Sequence, residues 1–173
     1  MRRSIAMVII LFGGVTNGLM AKQIPHLFKV STYIDKTDLY PYSLTLLAEP
    51  SSLYLEFNSQ LGRFDDATTE LIVNSNIPEV ESAAFTYQVT LVTNESNCQR
   101  YSETEPVLVN VMDVYLDGQS MQEGVASSRQ YLDEVDESGL RVGRNEILLR
   151  SQLIEERALG CSGEIMLEAE LAL

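Results

Sequence analysis

The sequence is poor in the residues from which active sites are most often built. His26 is its only histidine. It stands just ahead of the first alternating stretch and reads as an exposed N-terminal histidine, so neither a Ser-His-Asp nor a Cys-His unit can be assembled around it. There are only two cysteines, Cys98 and Cys161, and two lone cysteines this far apart lack the paired spacing of a zinc site. There is no glycine-rich phosphate loop, internal repeat, low-complexity tract or heptad pattern. Positive charge is scarce: 12 Lys and Arg stand against 25 Asp and Glu, a formal net charge of −13. Such a surface repels phosphate, which argues against nucleic acid and against polybasic docking on anionic lipid. The expectation is a protein that is not an enzyme, with no catalytic residues, no metal site and no cofactor.

What is present begins with an export address. Arg2 and Arg3 form a positive n-region, Ile5 to Phe12 is an apolar run of signal length, and small residues follow before the polarity rises at Lys22. The run is too short to span a bilayer. Residues 1–21 therefore read as a signal peptide cleaved after Ala21, with Thr16 and Gly18 marking an alternative site, and an N-terminal membrane anchor as the competing account. Cleavage removes two arginines and no acid, moving the formal charge from −13 to −15. No cysteine follows the apolar run, so a lipid anchor is not expected. Residues 22–36 form an extension containing a detached strand, Leu27 to Asp35, whose alternate residues Phe28, Val30, Thr32 and Ile34 fall on one face. Residues 37–173 then make one domain of ordinary size, with enough apolar content to bury a core.

In an oxidising compartment an even cysteine count reads as one disulfide, Cys98 to Cys161, the alternative being two buried thiols. Closing a loop of about 64 residues would remove roughly 4 kcal/mol of unfolded-state entropy.

Along residues 37–173 the dominant period is two. Ser43 to Ala48 alternates through Leu44, Leu46 and Ala48; Leu53, Leu55 and Phe57 follow, then Thr69, Leu71 and Val73. Phe85, Tyr87, Val89 and Leu91 make the clearest strand. Val107 to Leu116, broken only by Asn110 and Asp113, reads as a strand covered on both faces, and runs into the turn pair Asp117-Gly118, with Gln119 to Met121 returning. Ile147, Leu149 and Leu153 mark another strand, and Ile165, Leu167, Ala169, Leu171 and Leu173 the last. Eight or nine strands separated by turn signals predict an all-β, antiparallel β-sandwich.

Two stretches interrupt that rhythm. Residues 123–144 read as a long surface loop with a short helical turn around Tyr131, Leu132 and Val135, and Asn94 to Glu105 as a polar turn carrying Cys98. Asp133, Glu134, Asp136 and Glu137 lack the alternating acids and central glycine of a calcium loop and read as a solvated acidic surface. Asp65-Asp66 has no second acid that can be placed opposite it for a two-carboxylate site. Asn94-Glu95-Ser96 matches a glycosylation sequon, a match that would be accidental if the export setting is bacterial.

The order of the strands resembles the subunits of alpha-class chaperone-usher fimbriae, the colonisation-factor type of pilin. Phe28 to Asp35 is similar to that family's N-terminal donor strand, an apolar alternation ending in a hydrophobe followed by Asp. Leu53-Tyr-Leu-Glu-Phe57, then Phe64 and the strand ending Val73-Asn74-Ser75-Asn76, resemble the next two blocks. Tyr87-Gln-Val89-Thr-Leu91, the hairpin from Val107 through Asp117-Gly118-Gln119, and Ser162-Gly163-Glu-Ile165-Met-Leu167 to Leu173 follow in the family's order. Cys98 and Cys161 are a departure, since main shaft subunits of the family are usually free of cysteine; Lys22, His26 and Lys29 make the donor segment more basic than the rest of this acidic chain.

The resemblance implies an immunoglobulin-like sandwich lacking its final strand, completed by a donor strand from another subunit after export through the periplasm to the cell surface. It implies as partners a periplasmic chaperone, an outer-membrane usher and identical or related pilin subunits, with a host-surface receptor left open. Phe28, Val30, Thr32 and Ile34 would enter the groove, and the closing strand Ile165, Leu167, Ala169, Leu171 and Leu173 would border it and face the chaperone. The competing account is a secreted or periplasmic β-sandwich binding module whose first strand pairs within its own sheet; an exported hydrolase stands behind both.

Overall fold

The computed structural model describes residues 41–100, 103–155 and 159–172, all within a unit that begins at Lys36. Residues 1–21, expected to be a signal peptide, the residues expected to form a donor strand, Phe28, Val30, Thr32 and Ile34, and His26 and Leu173 lie outside the described residues. The described chain is all-β, with no helix. Its strands are β1 (Leu44–Glu49), β2 (Phe57–Asn58), β3 (Arg63–Phe64), β4 (Ala67–Pro78), β5 (Thr86–Arg100), β6 (Met112–Leu116), β7 (Gln119–Ser120), β8 (Gln130–Tyr131), β9 (Glu134–Val135), β10 (Leu140–Ser151) and β11 (Leu159–Ala172).

They form a six-stranded sheet in the order β1-β4-β10-β6-β7, with β9 also on β10, a three-stranded sheet β11-β5-β8, and the small hairpin β2-β3. Every strand pairing is antiparallel. The period of two explains which face meets which. On β4, Leu71, Val73 and Ile77 point inward; on β5, Tyr87, Val89 and Leu91 answer them, and Val114, Leu116 and Ile147 complete the main core. Each such side chain contributes about 1.5–3 kcal/mol on burial. Ile72, on the outer face of β4, is covered by its cross-strand neighbours Leu47 and Arg144.

Tyr87 spans the gap between the sheets. Its hydroxyl is donated to the side-chain carbonyl of Asn145 on β10. The ring needs a bare backbone opposite: a Cβ at Gly143 would stand 2.7 Å from its Cζ, so only glycine fits there.

The structure corrects four expectations. The stretch Leu53 to Phe57 is not a strand but for its last residue: the chain pairs only at Phe57 and Asn58, with Phe64 and Arg63, in a short local hairpin whose turn is held by the Asn58 side chain accepting the N–H groups of Gln60 at 3.1 Å and Leu61 at 3.2 Å. Asn94 to Glu105 is not a polar turn up to Arg100: β5 continues through it. Its polar inward residue is paid for locally, since Ser96 Oγ donates to Asn94 Oδ1 at 2.6 Å and accepts from the Met112 N–H at 3.0 Å. The run from Val107 is a strand only from Met112. Before that it follows β5, with Cys98 N–H donating to the Leu108 carbonyl at 2.9 Å and Val111 N–H to that of Ser96 at 2.9 Å, and then crosses to the other sheet after Asn110, which adopts φ 52°. Finally, residues 123–144 hold no helical turn. Leu132 is buried in the core and donates its N–H to Phe85, β8 and β9 flank it, and β10 has begun by Leu140. The Asp117-Gly118 turn does join β6 to β7, with both residues at positive φ, 48° and 77°, as a two-residue hairpin connection requires.

Candidate functional site

The two long sides of the sandwich differ. On one side the chain itself bridges the sheets: residues 121–132 leave β7, with Met121 N–H bonded to Val114 at 2.8 Å, and then attach to β5 through Gly124 N–H to Leu91 at 2.9 Å and Ser127 N–H to Val89 at 2.8 Å. The Ser127 hydroxyl also accepts the Val89 N–H at 3.0 Å. On the other side β1 ends one sheet and β11 ends the other, and the two run alongside each other. Among the described residues neither has a strand on its outer edge. Unpaired strand edges of this kind leave a row of backbone donors and acceptors open to another chain.

Burial follows the same division. The inward residues of β5 are sealed, with Tyr87 and Val89 0 % and Leu91 2 % exposed. The inward residues of β11, Ile165, Leu167, Ala169 and Leu171, have the same alternation but are only half-buried, and so are Leu44, Leu46 and Ala48 on β1. The result is an apolar strip between two open strand edges. Its β11 wall is the strand that the sequence marks as closing the domain. Its β1 wall was legible as a strand but not as part of a site, because alternation does not tell an edge strand from a central one.

At the upper end of the strip, Cys161 of β11 lies directly opposite Cys98 of β5, and the two are joined, with S–S 2.08 Å and Cα–Cα 4.0 Å. The pair can meet because a bulge at Val92 shifts the parity of β5: inward positions are 87, 89 and 91 before it and 96 and 98 after it. Cys98 turns its backbone groups away from β11 toward residues 107 and 108, leaving a non-hydrogen-bonded pair, the closer kind of cross-strand pair. Val111, Met112 and Ile154 pack around the sulfurs with Cys98, as do the partly buried Phe64 and Leu108. Two residue pairs further down, Gly163 allows β11 to close on β5, since a Cβ there would stand 2.7 Å from Ser96 Cα.

The acids considered from sequence are dispersed into structural roles. Glu134 pairs with Arg144 at 2.9 Å, and Asp136 accepts the N–H groups of Ser138 and Leu140 at 2.8 and 2.9 Å. Asp66 is held by Arg150 at 2.7 Å and Arg63 at 3.0 Å, and the Arg150 guanidinium, above all through its hydrogen bonds, keeps its pKa below the usual carboxylate value. Asn94 of the sequon donates its side-chain amide to the Met112 carbonyl at 2.6 Å, so it is engaged within the fold. Among the described residues no three His, Cys, Asp or Glu side chains gather as a metal site.

No protein-family model matches the chain, and no curated protein matches it. The apolar strip between β1 and β11 is therefore the feature from which function has to be read.

Proposed function

We propose that this chain is a structural subunit of a surface fimbria, exported by a chaperone and usher, and that it polymerises by donor-strand exchange. The observation that carries the proposal is the half-buried strip of Leu44, Leu46, Ile165, Leu167, Ala169 and Leu171 between two strand edges that no described strand covers. A strand laid there would pair its backbone with an open edge and place every second side chain on the strip. Residues 27–35 have that pattern, with Phe28, Val30, Thr32 and Ile34 alternating. The strand would complete an immunoglobulin-like sandwich.

Supplied by another copy, it makes a head-to-tail contact that does not close on itself, which builds a filament. Before assembly a periplasmic chaperone would cover the same strip, since an open apolar groove with unpaired edges invites aggregation. The subunit works by binding and by mechanical continuity and has no reaction to catalyse; its place is the cell surface, reached through the periplasm and the usher.

The experiment is a pair of measurements on Val30→Asp and Ile34→Asp variants. A carboxylate in an apolar groove costs several kcal/mol, so electron microscopy should show no filaments. The variant subunit should still gain thermal stability when a wild-type peptide of residues 22–36 is added. Filaments from the Asp variants would refute the donor assignment. A variant that unfolds even with peptide present would place residues 27–35 within their own sandwich, as in a periplasmic binding module.

A further inference from the structure

We infer, on the footing of the donor-strand proposal, that Glu168 of β11, with Glu164 and Glu170 beside it, forms an anionic rail that draws in Lys29 of the incoming copy's segment. The outward face of β11 carries Glu164, Met166, Glu168 and Glu170, all exposed. Their cross-strand neighbours on β5 offer no positive charge: Glu164 stands opposite Glu95, Glu168 opposite Thr90 and Glu170 opposite Gln88. Two carboxylates directly opposed, as at Glu164 and Glu95, are mutually repulsive. No arginine ion pair in the described structure involves any of the three β11 acids. The side of β11 away from β5 is its open edge, so a strand that occupies the groove can bring a cation alongside the row.

The chain's own distribution of charge supplies that cation. All three lysines, Lys22, Lys29 and Lys36, lie in residues 22–36, where the only acid is Asp35. Residues 37–173 contain no lysine at all, and there 24 acids stand against seven arginines. A basic segment and an acidic acceptor on one chain are complementary between copies, and opposite charge of this kind speeds encounter.

Parity sharpens the match. With Phe28, Val30, Thr32 and Ile34 on the inward face, Lys29 falls on the outward face, the face of the three acids. If the four inward residues of the segment oppose the four of β11, an antiparallel arrangement sets Lys29 opposite Glu170 with Glu168 on the diagonal. A parallel one sets it opposite Met166 with Glu164 and Glu168 on the diagonals. Diagonal neighbours lie about 7–8 Å apart, within reach of a lysine. Glu168 therefore neighbours Lys29 in either direction, while Glu170 and Glu164 report which direction is used.

The test measures the uptake rate of fluorescent peptides of residues 22–36 by the exported chain carrying Val30→Asp, whose own donor is disabled. Wild-type peptide should enter about tenfold faster than a Lys29→Glu peptide at low salt, and about 0.5 M salt should erase most of that difference. An acceptor with Glu168→Lys should reverse the preference, taking up the Lys29→Glu peptide faster than the wild-type one. Equal rates for the two peptides on the unmodified acceptor at low salt, with a Val30→Asp peptide still excluded, would overturn the charge rail and leave the donor strand standing. A Val30→Asp peptide taken up as readily as wild type, or no uptake of any peptide, would overturn both.

Discussion

Tyr87 on β5 gives its hydroxyl proton to Asn145 on β10, and Asn145 in turn donates its amide to Asp117 at 2.7 Å, so one hydrogen-bonded chain ties the two sheets to the β6-β7 turn. Burial, reinforced by the nearby charges of Asp117 and Asp133, pushes the Tyr87 pKa from 10.0 up to about 12. The folded state thus holds this proton where the unfolded chain has released it. Stability from the group is complete below pH 10 and declines as pH rises from about 10 to about 12, by at most about 1.4 kcal/mol per pH unit. Urea unfolding across that range should show the slope, and Tyr87→Phe should remove this part of it. At neutral pH the same substitution leaves Asn145 Oδ1 without its donor and should cost about 1–3 kcal/mol.

Gly143→Ala should be at least as damaging as losing that hydroxyl. The added methyl group meets the Tyr87 ring, which is enclosed and cannot withdraw. Overpacking of this kind costs about 1–3 kcal/mol, read as a lower urea midpoint with an unchanged slope of unfolding free energy.

Reduction of Cys98–Cys161, or the Cys161→Ser variant, releases a link that closes a sequence separation of 63 residues. The chain-entropy expectation is a loss of about 4 kcal/mol. Differential unfolding with and without reductant measures it directly, and the yield of the variant after export should fall. Peptide mapping without reductant should find the two cysteines in one linked pair and no free thiol.

Leu171→Asp should separate folding from capture. Leu171 is half-buried on the strip, so an aspartate there still has access to water in the free domain. It loses that access when a strand covers it. Chaperone co-purification and uptake of the 22–36 peptide should therefore drop at least tenfold, while the unfolding midpoint of the empty domain moves little.

Asp66 gives a weaker acid-side signal. Its pKa is depressed by Arg150 and Arg63, so its contribution is present at neutral pH and fades as pH falls through the carboxylate range. The pairs are partly exposed and screened, which limits Asp66→Asn to less than about 1 kcal/mol. Unfolding at pH 7 and pH 3 should show the variant's deficit only at the higher pH.

Alternation made β1, β4, the first half of β5 and β11 legible from residue order alone, since Leu44, Leu71, Tyr87 and Leu167 each sit in a clean period of two. The second half of β5 was hidden because Asn94, Ser96 and Asn97 carry the polarity of a turn, and only the pairing of Ser96 with Asn94 and Met112 shows how that polarity is satisfied in a strand. The bulge at Val92 hid the rest: once parity shifts, no fixed period places Cys98 on the core face. Leu132 was obscured by the acids that follow it, which made its neighbourhood look wholly solvated. Both walls of the strip between β1 and β11 were legible as strands by their alternation; only β11 was placed at a groove, and that by the family resemblance, because being at an edge is a property of topology.

The disulfide also has a mechanical meaning. β11 runs antiparallel to β5 from the Leu159–Arg100 pair to the Ala172–Thr86 pair, and the covalent link sits two residues from the first of these ends. Tension that tries to peel β11 from β5 from the Leu159 end is stopped at Cys161 after rupturing almost nothing. Unzipping can begin only at Ala172, where the Thr86 hydroxyl clips the Ala172 carbonyl at 2.7 Å. A strand seated along the open edge of β11 thus hangs from a rail riveted at one end, and a pull on it is carried into the body of the domain as shear along the whole β5-β11 ladder.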